Sequence, residues 1–143
     1  MARIPVRVRV LALALLTVLA AGCGGGGGPL AAVHGRVLYR GYPLAGGKIV
    51  LTPDASRGST GPLAGAETRG DGTYVLETDG LAGAAPGYYR ITVMALETPA
   101  PGPYGQPAIP RSLLPAKYLD PELSGLSCQV EAGRDNEIDL NLE

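Results

Sequence analysis

The chain has no phenylalanine, no tryptophan, a single histidine and two cysteines among 143 residues. Without Phe and Trp, a core has to be assembled from Val, Leu, Ile and Ala. Seven tyrosines add rings whose hydroxyls need partners when buried. His34 alone cannot build a zinc site with cysteines as few and as far apart as Cys23 and Cys128. The net charge is −1 and no basic stripe is present, so nucleic acid is not an expected partner. Missing too is any segment that holds a helical period long enough for an amphipathic helix, and this points to an all-β chain.

Arg3, Arg7 and Arg9 precede roughly a dozen mostly apolar residues, Val10 to Ala21, the layout of a secretory signal. That stretch falls short of the about 20 residues needed to span a bilayer. It ends in Leu19-Ala20-Ala21-Gly22-Cys23, followed at once by Gly24 to Gly28, and this resembles a bacterial lipobox. The resemblance implies cleavage after residue 22 and lipidation of Cys23, leaving the protein exported and held to a membrane of the cell envelope. A plain signal-peptidase cut after an alanine is the alternative. Residues 23–31 then form a glycine-rich tether with a reach on the order of 15 Å for about eight residues. With Cys23 lipidated, Cys128 has no partner within the chain and is expected to be buried and inert.

Residues 32–143 suit one small domain of short strands punctuated by glycine and proline. In the run from Val33 to Tyr39, Val33, Val37 and Tyr39 share a face with Gly35, and His34, Arg36 and Leu38 lie opposite. Gly41-Tyr42-Pro43-Leu44 turns the chain into Lys48–Thr52, with Ile49 and Leu51 inward and Pro53 as the stop. A polar loop, 54–62, leads to a strand over 64–68. Asp71-Gly72 is a strong hairpin signal into Thr73–Leu76, where Tyr74 and Leu76 face the core. Tyr89, Ile91 and Val93 alternate in the clearest half-buried strand. Residues 97–115 carry six prolines and no strand signal, and read as an extended loop. Leu126-Cys128-Val130 and Ile138-Leu140-Leu142 resume the alternation around a turn at 133–136, and together predict a closing hairpin.

Five stretches carry a family resemblance: Val33-x-Gly35-x-Val37, Gly41-x-Pro43-Leu44, Gly47-x-Ile49, Thr68-x-x-Asp71-Gly72-x-Tyr74-x-Leu76 and Pro86-Gly87-x-Tyr89-x-Ile91. In this order they resemble the carboxypeptidase regulatory-like domain. Ile109-Pro110, Pro115-Ala116-Lys117-Tyr118, Ser124-Gly125-Leu126, Val130-x-x-Gly133, Asn136 and Leu140 look like a version common in planctomycete lipoproteins. The resemblance implies a transthyretin-like, immunoglobulin-like β-sandwich of about seven strands. It implies no reaction, because the family is an accessory domain.

The chemistry-bearing residues read the same way. His34 falls on an outward strand face, Cys128 shares a face with Leu126 and Val130, and Asp71 is explained by its turn. Asp135, Glu137 and Asp139 lack the dense oxygen spacing of a calcium loop. No cofactor or metal and no catalytic residue is expected. The expected function is that of a non-enzymatic, lipid-anchored envelope protein with a scaffolding or adhesion role, and an envelope protein or polysaccharide as its partner. The alternative is a carbohydrate- or peptide-binding module using Tyr42, Tyr88 and Tyr104 as stacking rings. A small hydrolase is the remote third reading.

Overall fold

A computed structural model of the chain describes residues 28–143. The signal segment, Cys23 and most of the glycine tether lie outside the described residues. The first strands are β1 (Val33–Tyr39), β2 (Tyr42–Pro43), β3 (Lys48–Pro53) and β4 (Ala64–Glu67). Next come β5 (Thr73–Val75), β6 (Glu77–Thr78), β7 (Leu81–Ala82), β8 (Gly87–Met94) and β9 (Leu96–Glu97). The chain finishes with β10 (Arg111–Ser112), β11 (Ser127–Val130), β12 (Asn136–Glu137) and β13 (Leu140–Leu142). Two short 3₁₀ turns, Ala55–Arg57 and Ala116–Leu119, are the helical content of the described residues.

The protein is an all-β, two-sheet sandwich. One sheet runs β11-β8-β3-β4-β6-β7, antiparallel throughout. The other is built around β1, with β2 and β5 antiparallel on it and β12 and β13 parallel to it. The alternation in β1, β3 and β8 sorts faces as the sequence predicts. Val33, Val37, Ile49, Leu51, Ile91 and Val93 are all at most 1% exposed, and the inner faces meet over Tyr74, Leu76 and Leu142. A lone pair of hydrogen bonds between Ala31 and Ala84 ties the start of β1 to the start of β8, so both strands begin at the same end of the sandwich.

Two predicted hairpins are not hairpins. The turn at Asp71-Gly72 forms, closed by Arg69 N–H to Thr73 O at 2.8 Å, but it passes the chain from β4 in one sheet to β5 in the other. Gly72 is required there. It has φ of 80°, and a Cβ would come within 2.6 Å of the Val37 carbonyl oxygen. The expected closing hairpin is likewise a crossover: β11 adds to β8, whereas β12 and β13 go to β1. Asn136, buried, holds that crossover. Its Oδ1 accepts from Glu131 N–H at 2.9 Å and its amide faces the carbonyls of Ala32, Glu131 and Arg134. Turn residues fix a local reversal of the chain, and the choice of sheet is made by the faces that the next strand must bury.

The proline-rich segment also differs from its expectation. Strand pairing reaches into it, because β9 and β10 match Leu96 with Ser112 and Glu97 with Arg111. Beyond the clip, Leu114 and Tyr118 turn inward and cover one end of the core, with the Tyr118 hydroxyl accepting from Glu143 N–H at 2.9 Å.

Candidate functional site

The outward face of β1 forms the floor of a shallow groove of about 480 Å³, lined by His34, Arg36, Arg69, Thr73, Glu137 and Asp139 among others. Strand parity puts His34 and Arg36 there. The antiparallel register of β5 sets Thr73 beside Arg36 and Val75 beside His34, and the parallel register of β12 sets Glu137 on the other side of His34. The histidine is half-buried, and its Nε2 lies 2.9 Å from Asp135 Oδ2.

Between β12 and β13 the ladder is altered by side chains. In a regular parallel pair the Ile138 carbonyl would accept from Arg36 N–H. Here that N–H donates to Asp139 Oδ1 at 2.8 Å, and the Ile138 carbonyl accepts the Tyr74 hydroxyl at 2.5 Å. The displaced carbonyl lies over Gly35, where a Cβ would come within 2.6 Å of the Ile138 carbonyl carbon and closer to its oxygen. Burial raises the Tyr74 pKa and keeps the phenol a donor. At the groove's rim, Asp71 Oδ1 accepts from Thr73 Oγ1 at 2.6 Å and from Thr73 N–H at 3.0 Å, and these bonds hold its carboxyl below the usual range.

The groove can therefore hold a polar or charged group, with Arg36 and Arg69 as donors. Thr73 and His34 engage separate carboxylates, Asp71 and Asp135. No family model, curated protein or solved structure matches this chain. Its chemistry is thus read from its own residues.

Cys128 is half-buried on β11 and packs against the core, on the opposite sheet from β1. Burial pushes its thiol up to about 11. His34 lies on the outward face of the other sheet, so the two do not come together as a catalytic pair. Among the described residues no three His, Cys, Asp or Glu side chains converge to hold a metal, and no helix is long and apolar enough to cross a membrane. Of the three candidate stacking tyrosines, Tyr42 on β2 is 77% exposed and Tyr104 in the proline-rich segment is 89% exposed. Tyr88 is half-buried under the Arg57 guanidinium, 4.9 Å from its ring centroid, so that face is already occupied. The three rings sit on separate elements.

Sequence reasoning missed a second polar cluster. Asp54, 8% exposed, accepts from Ser56 N–H and Oγ and lies 3.3 Å from Arg90 Nε, while Arg90 also pairs with Glu122. The Ser56 hydroxyl and then Arg90 hold the Asp54 carboxyl below its ordinary value. A loop aspartate just after a strand-ending proline offered the only hint.

Proposed function

We propose that this protein is a non-enzymatic, lipid-anchored envelope protein whose carboxypeptidase regulatory-like sandwich serves as a scaffold or adhesion module. The observation that carries the reading is the run Leu19-Ala20-Ala21-Gly22-Cys23 behind a basic, apolar leader and directly before Gly24 to Gly28. The use of polar side chains supports it. Asp71, Asn136 and Asp139, each available in principle for chemistry, are committed to backbone groups. The Cys23→Ser variant tests the anchor: it is expected to lose fatty-acid labelling and to leave the membrane fraction. Continued labelling and membrane retention overturn the reading.

A second reading, a glycan- or peptide-binding module, draws on the exposure of Tyr42 and Tyr104. It requires retention on a defined polysaccharide that weakens when these tyrosines become alanine.

A further inference from the structure

We propose that residues 98–110 form a docking finger for a protein partner that presents an uncharged, aromatic-lined groove. The finger has a built base and tip. At the base, β9 and β10 pair, and Leu113 N–H donates to Ala95 O at 2.9 Å. At the tip, Gly105 N–H donates to Gly102 O at 3.0 Å and Gly102 N–H to Gln106 O at 3.2 Å, leaving Tyr104 89% exposed at the apex. Ile109, on the returning leg, is 78% exposed.

Composition selects the partner. Between Glu97 and Arg111 there is no charged residue, and Pro101, Pro103, Pro107 and Pro110 are all exposed. Exposed proline rings are recognised by stacking against aromatic side chains, and proline has little conformational freedom left to lose on binding. Position argues for a protein rather than the protein's own membrane. The described chain begins at the end of the sandwich where β8 starts, and the finger leaves where β8 stops. Eight strand residues at about 3.3 Å each separate the two ends by about 26 Å.

The proposal deepens the adhesion reading and rests on it for the partner's place in the envelope. Its test uses the full chain in membranes, with a photo-reactive phenylalanine analogue at Gln106 so that Tyr104 is kept. The expected cross-links map to aromatic residues of one envelope protein. They are competed by an oligoproline peptide and are unchanged when salt rises several-fold, because no charge is screened. Tyr104→Ala should weaken capture about tenfold or more while leaving the unfolding midpoint unchanged. Cross-links to lipid or polysaccharide, no cross-link, indifference to oligoproline, or full capture by Tyr104→Ala overturns the finger. Fatty-acid labelling of the same sample reports the anchor separately, so loss of one is not read as loss of the other.

Discussion

Gly35→Ala is the sharpest test of how β1 is held. The new methyl group would occupy the position of the Ile138 carbonyl, which is backbone and can move only with the segment joining β12 to β13. Moving it breaks the Tyr74 hydroxyl bond and leaves a phenol, 1% exposed overall, without its acceptor. That loss alone is about 1–3 kcal/mol. Displacement of the Asp139 carboxylate from Arg36 N–H adds about 1 kcal/mol, so a total of about 2–4 kcal/mol is expected. Urea denaturation followed by far-UV circular dichroism measures it in a chain without tryptophan. Tyr74→Phe removes the same hydroxyl bond without the clash, and the double variant should fall short of additivity by about 1 kcal/mol, since one bond cannot be lost twice. Gly70→Ala, where a Cβ meets nothing within 4 Å, should stay within about 0.5 kcal/mol. Equal effects at Gly35 and Gly70, or strict additivity with Tyr74→Phe, would refute the account of the displaced carbonyl.

Ile91→Ala, at a fully buried position in the central strand β8, should cost about 2–5 kcal/mol, whereas Thr92→Ala on the outer face should stay within about 0.5 kcal/mol. Equal values by the same denaturation assay would reverse the face assignment. Cys128 should react with a thiol reagent slowly in native buffer and quickly once denatured; rapid native labelling would place it at the surface. Its folded pKa of about 11 exceeds the ordinary 9.0, so burial of the neutral thiol stabilises the fold fully below pH 9 and that contribution is lost as pH climbs to 11. Cys128→Ala should therefore lose less stability across that window than the parent protein.

The longer strands β1, β3 and β8 were legible because each has one buried face, and alternation with period two is the direct print of such a face, whereas the two-residue strands β6, β7, β9 and β10 carry no such print. Tyr89, Ile91 and Val93 needed nothing else. Which strand lies beside which was not legible. Asp71-Gly72 and the 133–136 turn carry the same local chemistry whether the chain returns along its own sheet or crosses to the other, and pairing β1 with β12 depends on contacts about a hundred residues apart. The groove was half legible. Parity put His34 and Arg36 outside, but nothing in the sequence marks Asp139 as a substitute for a backbone carbonyl, because that role exists only once Gly35, Tyr74 and Ile138 are brought together.

The parallel seat of β12 and β13 against β1 also sets when this domain can come into being. β1 is made about a hundred residues before the segment 136–142 that supplies its second edge, and Val37 finds its neighbour only when Leu140 arrives. Helical bundles can assemble piecemeal from local contacts, whereas a sandwich closed across its whole length must wait and folds slowly. A nascent chain lacking those residues has an unpaired strand and an open core. It stays loose until those residues are made, and only then can the sandwich close.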